Sequence, residues 1–147
     1  MANGESEVGA DVPAGGFVQL LTPDGERIDS VTTADGVTYS VDFTDDEYRK
    51  LYEDLVTVRR LDAEATALQR QGELGIWASL LGQEAAQVGS GRALRPQDMA
   101  FPTYREHGVA WCKGVDPLAP LALFRGVNLG GWDPQEHRFQ LYTIVIG

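Results

Sequence analysis

The longest periodic segment of the sequence begins at Thr44 and constrains the fold more than any other. Thr44 and Glu47 have the spacing of a capping box, in which a hydroxyl and a carboxylate bind the free amides of a first helical turn. Apolar residues then recur every three or four positions, which predicts an amphipathic helix packed on a core. We expect all of them, including the two tyrosines, to face inward: Tyr48, Leu51, Tyr52, Leu55, Val58, Leu61, Ala65 and Leu68.

The segment before this helix predicts a small β element. Residues 17–43 contain strand-forming runs broken by Pro23-Asp24-Gly25 and by Asp35-Gly36, both strong turn signals. Residues 1–16 hold acids and glycines without an apolar run, so we expect a disordered acidic tail and not a signal peptide. The predicted organisation is a tail over 1–16, a β arm over 17–43 and a larger domain over 44–147.

Composition narrows the classes of function. The net charge of −10 and the sequence pI of about 4.5 predict an acidic surface that repels nucleic-acid phosphates, although one basic pocket for a small phosphate ligand is compatible with it. No stretch is long and apolar enough for a transmembrane helix. Cys112 is the only cysteine, so no internal disulfide or cysteine metal cluster can form. We therefore expect a cytoplasmic protein without membrane or nucleic-acid partners.

The rest of the chain predicts shorter helices and a final strand. Gln83 to Leu94 is a helix rich in alanine and glycine, in which Gly89 and Gly91 each cost about 1 kcal/mol and call for tight packing or a bend. A second helix ends at Lys113-Gly114, and a third begins at Asp116-Pro117. Residues 126–138 are predicted to be a loop. The apolar run 139–147 predicts a buried strand with nothing after it to complete a sheet, so we expect an interrupted chain that aggregates or needs a partner when isolated.

The segment FPTYREHGVAW, residues 101–111, is the strongest candidate site. Pro102 favours an extended approach to a helix start, where Arg105 can bind a phosphate in forked geometry and Tyr104 adds a hydroxyl donor. The alternative is that Arg105 pairs on the surface with Glu106 or another acid. His107 and His137 have no metal-ligand spacing, and we expect surface or helix-end positions for both.

Glu84 leaves a similar choice open. The sequence Gly82-Gln83-Glu84 places a carboxylate at the first turn of a predicted helix, where it can serve a site or cap the helix.

Taken together, RQG (70–72), GQEA (82–85), YRE.G (104–108), LFRG (123–126) and TIVIG (143–147) resemble the alpha subunit of thiamine-diphosphate-dependent 2-oxo acid dehydrogenases. This family includes pyruvate dehydrogenase and branched-chain 2-oxo acid dehydrogenase, and the resemblance runs from about Tyr48 to Gly147. It implies an α/β fold, of which this stretch is the N-terminal part of a thiamine-diphosphate-binding domain. That part is largely helical, with a small N-terminal β arm and a C-terminal buried strand.

The resemblance also implies an activity and partners. The activity is oxidative decarboxylation of a 2-oxo acid, with pyruvate as the first choice of substrate and acyl transfer to a lipoyl arm. Branched-chain 2-oxo acid dehydrogenase and acetoin dehydrogenase are the alternatives within the family. Two alternatives of another class are a non-catalytic assembly or binding module and a generic anion-binding domain. The implied partners are a beta subunit, in an α2β2 heterotetramer, and a lipoyl-bearing acyltransferase component.

The resemblance assigns thiamine diphosphate to particular residues. Tyr104 and Arg105 match the pair that contacts the diphosphate, and Thr103 lines the same pocket. Ile144 offers a carbonyl and Ile146 an amide to the aminopyrimidine ring. No catalytic residue is assigned, because Ala78 and Ser79 stand where several relatives carry a histidine.

The resemblance implies a cation as well. The family's magnesium-binding Gly-Asp-Gly and later Asn are absent from this sequence, so these ligands are expected downstream of residue 147. We expect this chain by itself to bind the cofactor weakly and to be inactive.

Overall fold

The computed structural model describes residues 10–11, 17–127, 131–140 and 142. The chain divides into two compact units, Met1–Asp45 and Asp46–Gly147. Most of the predicted C-terminal strand lies outside the described residues, and Ile144 and Ile146 lie outside them too.

The first unit contains a small sheet of three strands, β1 (Ala10–Asp11), β2 (Ser30–Thr32) and β3 (Thr38–Ser40). Strand β1 pairs in parallel with β2, which pairs antiparallel with β3. Both predicted turns are present, and each ends on a glycine with a positive φ of 85° or 81° that favours a residue without a Cβ. Strand β1 lies within the predicted tail, so these two residues pair with the β arm.

The helices are α1 (Asp45–Arg70), α2 (Glu84–Ala93), α3 (His107–Cys112), α4 (Leu118–Arg125) and α5 (Pro134–His137). Helix α1 begins directly after Thr44, and the predicted helices around α2, α3 and α4 are also present. Helix α5 falls within the predicted loop and was missed. Its start is nevertheless readable, because Asp133 accepts a hydrogen bond from the Gln135 amide and Pro134 occupies the first helical position.

The inward face of α1 differs from the predicted apolar stripe. Tyr48 and Tyr52 are 39% and 69% exposed, so the prediction that they lie in the core is wrong. The buried residues of the helix are Asp54, Val58, Asp62 and Ala65. The rest of the stripe is largely confirmed, because Val58 and Ala65 are buried and Leu51, Leu55 and Leu68 pack on the core clusters. The periodicity missed two inward aspartates, which receive hydrogen bonds from the segments packed against the helix.

The core of the second unit is rich in aromatic residues. Trp77, Phe124, Trp132, Phe139 and Tyr142 are buried in one cluster, while a smaller cluster joins α1 and α2. Phe139 and Ala100 form an isolated parallel bridge, in which the Ala100 amide donates to the Arg138 carbonyl at 2.8 Å and the Gln140 amide to the Ala100 carbonyl at 2.9 Å. This bridge holds the chain that enters the candidate site against the C-terminal run.

Helices α2 and α3 approach closely at Gly91. A Cβ on Gly91 would lie 2.8 Å from the Cβ of Cys112 and 3.3 Å from the Cα of Val109. Gly89 has no such neighbour within 4 Å. The expected close packing is thus present at Gly91 and missing at Gly89.

The two glycines therefore make a matched pair for a stability test. We expect Gly91→Ala to lower the free energy of unfolding by about 1–3 kcal/mol, because the added methyl overpacks the helix contact. Gly89→Ala is expected to raise it by up to about 1 kcal/mol, because alanine favours the helix. Urea denaturation of both variants checks this, and equal stabilities would contradict the close approach.

Candidate functional site

The structure brings Tyr104 and Arg105 together in the loop that precedes α3. Arg105 is half-buried, and its Nη1 donates a hydrogen bond to the carbonyl oxygen of Ser79. Its Cζ lies 5.4 Å from the centre of the Tyr104 ring, and Tyr104 is 44% exposed. One edge of the guanidinium is therefore anchored on the protein backbone, beside an accessible phenol.

Arg105 has no acidic partner within the part of the chain that the structure describes. The Glu106 carboxylate instead accepts from the amide of Thr103 at 2.8 Å, from the hydroxyl of Thr103 at 3.0 Å and from the amide of Arg105 at 3.3 Å. The alternative of a surface pair between Arg105 and Glu106 is therefore wrong.

These hydrogen bonds keep Glu106 ionised. Burial raises the pKa of the Glu106 carboxyl, but the bonds from the Thr103 hydroxyl and from the amides of Thr103 and Arg105 outweigh it and lower the pKa below its ordinary value. Glu106 thus holds residues 103–105 in a fixed turn at the start of α3. The hydroxyl of Thr103 is committed to this turn.

Gln87 on α2 fixes the same loop from the other side. Its Nε2 donates to the carbonyl of Arg105 at 3.1 Å, and its Oε1 accepts from the amide of Gly108 at 2.8 Å. A Cβ on Gly108 would lie 2.9 Å from the Cβ of Gln87, so only glycine allows this approach without a shift. The sequence offered one usable signal for Gln87, a long polar residue on a helix of small residues.

His107 is the first residue of α3, which agrees with the predicted helix-end position, but it is buried and does not lie on the surface. It is 1% exposed, and its ring stacks on Trp77 with centroids 4.0 Å apart. Nε2 lies 3.1 Å from the Ala78 carbonyl, which can only accept, so Nε2 carries the proton. Nδ1 then accepts from the Tyr142 hydroxyl at 2.9 Å. His107 is a structural residue joining three segments.

Asp62 on α1 organises the segment that holds both Arg105 and His107. It is 3% exposed and accepts from Trp77 Nε1 at 2.8 Å, from Ser79 Oγ at 2.6 Å and from the Leu80 amide at 2.9 Å. Nothing in the sequence pattern pointed to Asp62, because a single aspartate between apolar helix positions is usually solvent-exposed.

Glu84 has a structural role. Its carboxylate is hydrogen-bonded to Arg59 and accepts from the amide of Gly82 at 2.9 Å. Gly82 precedes the N-cap residue Gln83, and no side-chain hydrogen bond caps α2, so helix capping by Glu84 is not supported.

The remaining candidate residues form no metal site within the described part of the chain. His137 lines a cavity of about 360 Å³ together with Cys112 and Lys113. Among the described residues, no three side chains of the metal-binding types come together.

No helix in the described part of the chain combines the length and apolar character needed to cross a bilayer.

The site thus consists of an anchored arginine beside a tyrosine within a largely helical unit. The family model described as "Dehydrogenase E1 component" matches residues 52–139, which is more than half of the chain. The chain belongs to this family.

Particular relatives are alpha subunits of 2-oxo acid dehydrogenases. The 3-methyl-2-oxobutanoate dehydrogenase subunit alpha of Mycobacterium tuberculosis is 44% identical over 114 residues, which cover 78% of this chain and 29% of the relative. The pyruvate dehydrogenase E1 component subunit alpha of Staphylococcus epidermidis is 37% identical over 132 residues, which cover 89% of this chain and 34% of the relative. The pyruvate dehydrogenase E1 component subunit alpha of Bacillus subtilis is 33% identical over 130 residues, which cover 88% of this chain and 33% of the relative. The chain spans about a third of the length of these relatives.

The burial of His107 predicts a loss of stability in mild acid. Burial lowers the His107 pKa from 6.5 to about 4. In mild acid the unfolded chain therefore binds a proton at His107 that the folded chain does not bind. The contribution of His107 to the free energy of unfolding is fully present above the pKa of the unfolded chain. It is lost as the pH drops, by about 2 kcal/mol between pH 7.5 and pH 5.

Chemical denaturation across this pH range measures that loss. The variant His107→Gln retains a donor and an acceptor but cannot titrate, and we expect its stability to change less over the same range. NMR titration of the imidazole provides the direct check, and an ionised His107 at pH 6 would contradict the assignment.

Proposed function

We propose that this chain supplies diphosphate-binding residues of a thiamine-diphosphate-dependent 2-oxo acid dehydrogenase. The observation that carries the proposal is the state of Arg105, which is half-buried and anchored on the Ser79 carbonyl without a carboxylate partner among the described residues. Removing a charge from water is costly unless a counter-charge offsets it. A phosphate oxygen of a ligand would supply that counter-charge.

The arrangement fits a diphosphate in chemical detail. Only Nη1 of Arg105 is bound to the protein in the described structure, so the rest of the guanidinium can bind phosphate oxygens. The accessible Tyr104 hydroxyl adds a donor beside it. Because Thr103 donates to Glu106, we propose that Thr103 lines the pocket and does not bind phosphate directly.

The family supports thiamine diphosphate as the ligand. When bound, thiamine diphosphate supplies the carbanion chemistry of decarboxylation. The residues of this chain bind and orient it: Arg105 and Tyr104 hold the diphosphate, and Glu106 fixes their backbone. We propose contacts from Ile144 and Ile146 to the aminopyrimidine ring on the resemblance alone. The same applies to magnesium, for which we assign no ligand.

The substrate class follows from the relatives. Their names specify pyruvate and 3-methyl-2-oxobutanoate, so we propose oxidative decarboxylation of a 2-oxo acid with acyl transfer to a lipoyl group. The sequence alone made pyruvate the first candidate, whereas the higher identity to the Mycobacterium tuberculosis subunit favours a branched-chain 2-oxo acid.

We propose that the partners are a beta subunit, in an α2β2 assembly, and a lipoyl-bearing acyltransferase component. The proposed location is the cytoplasm, and the proposed fold is the thiamine-diphosphate-binding α/β fold, extended by the tail over 1–16 and the β arm over 17–43.

Arg105→Ala tests the diphosphate role. In titrations of the chain followed by ¹⁵N NMR, we expect thiamine diphosphate to shift the amides of residues 103–107 and thiamine to leave them unchanged. Loss of a charge-assisted contact costs about 2–5 kcal/mol, so the dissociation constant should rise at least about 30-fold in Arg105→Ala.

The matched control is Arg60→Ala. Arg60 lies on α1 and pairs with Glu64 on the surface, and its removal should leave the affinity unchanged. An unchanged affinity of Arg105→Ala would refute the diphosphate role. Equal affinities for thiamine diphosphate and inorganic diphosphate would favour the generic anion-binding domain instead.

A further inference from the structure

Two neighbouring backbone carbonyls hold Arg105 of the candidate site and the buried His107 beside it in the sequence. The carbonyl of Ser79 accepts from Nη1 of Arg105, and the carbonyl of Ala78 accepts from Nε2 of His107. The orientation of the Arg105 guanidinium therefore depends on the position of a segment that is 26 residues distant in sequence. This segment, residues 77–80, has no regular secondary structure of its own. Something outside it must fix its backbone.

The side chain of Asp62 is the group that fixes it. Three donors from this short segment converge on one carboxylate: an indole N–H, a hydroxyl and a backbone amide. A carboxylate can accept several hydrogen bonds at once, whereas a hydroxyl or a single carbonyl offers fewer acceptor sites. Asp62 lies in the interior of the 26-residue helix α1, so it provides a rigid point of attachment.

We propose that Asp62 is a positioning residue for the anion site, acting on Arg105 through Ser79. The inference rests on the proposed function of Arg105 and adds a residue that does not itself touch the ligand. Asp62 binds Ser79 through the hydroxyl, and Ser79 binds Arg105 through its carbonyl. The guanidinium is thereby held with one edge on the protein and the other edge available to a diphosphate. Binding then costs less side-chain ordering.

The competing explanation is that Asp62 serves only the stability of the fold. A second buried aspartate on the same helix provides a matched control for the Asp62 variant. Asp54 lies two turns earlier on the same helix and is completely buried. It accepts from Nε and Nη2 of Arg92, at 2.7 and 2.8 Å, and from Nε1 of Trp111 at 2.9 Å. None of its hydrogen bonds reaches residues 77–80 or Arg105. A purely structural role would make the two aspartates equivalent.

The experiment compares Asp62→Ala with Asp54→Ala in the full chain. The first measurement is the rate of rotation about the Arg105 Nε–Cζ bond by NMR, and the second is the affinity for inorganic diphosphate. We expect the rotation rate to rise and the affinity to fall by up to about tenfold in Asp62→Ala, because the ligand must then order the Arg105 side chain itself. Both should stay near native values in Asp54→Ala.

Two further variants cover the case in which Asp62→Ala does not fold. Asp62→Asn keeps an acceptor for Trp77 and Leu80, and we expect it to retain most of the affinity. Ser79→Ala keeps the carbonyl that binds Arg105 but removes the link to Asp62, so rotation about the Arg105 bond should become faster. A native rotation rate in Ser79→Ala, or equal effects of Asp62→Ala and Asp54→Ala, would overturn the proposal.

The two proposals fail in distinguishable ways. If Arg105→Ala leaves the diphosphate affinity unchanged, the proposed function fails, while the rotation rate still reports on the link from Asp62 to Arg105. If Arg105→Ala loses affinity but Asp62→Ala keeps both native values, the function of the site stands and the positioning role of Asp62 is refuted.

Discussion

The second unit depends on two carboxylates buried on one face of helix α1. A carboxylate removed from water is stable only when charged or polar donors replace its hydration. Burial alone raises the pKa of Asp54, but the hydrogen bonds from Arg92 and Trp111 and the nearby positive charges lower it below its ordinary value. Among the described residues, no buried side-chain nitrogen or oxygen lacks a partner. Asp54 therefore ties α1 to α2 and α3, while Asp62 ties it to residues 77–80, whose carbonyls bind Arg105 and His107.

Local signals in the sequence were sufficient for much of the secondary structure. Capping residues, glycines and Asp-Pro pairs act within a few residues of each other, so they predicted the helices α1 to α4 and both turns of the β arm. The two aspartates on the inward face of α1 could not be found in this way, because buried and exposed aspartates look the same in a hydropathy pattern. What distinguishes Asp54 and Asp62 is their donors, which lie 15 to 57 residues further along the chain.

Local sequence signals also found only part of the candidate site. The pair Tyr104-Arg105 was found from its local chemistry and from the resemblance, and the structure places the two side chains together. Whether Arg105 pairs with Glu106, however, depended on the position of the Glu106 carboxylate, which binds Thr103 and the backbone amide of Arg105 instead. The burial of His107 depends on Tyr142, 35 residues later, and on Trp77, 30 residues earlier. Such contacts between distant segments leave no local pattern.

The overall charge of the chain and the charge of the site act on a diphosphate with opposite signs. A net charge of −10 repels an anion at long range, whereas in the proposed site the positive charge of Arg105 would attract it at contact. At physiological ionic strength, interactions between exposed charges fall off over about 8 Å, so most of the distant acids are screened. The half-buried guanidinium is screened much less, so in the proposed site its orientation contributes to the affinity for the ligand. For this reason the residues that hold Arg105 in place add to the affinity that the arginine itself would give an anion site on an acidic protein.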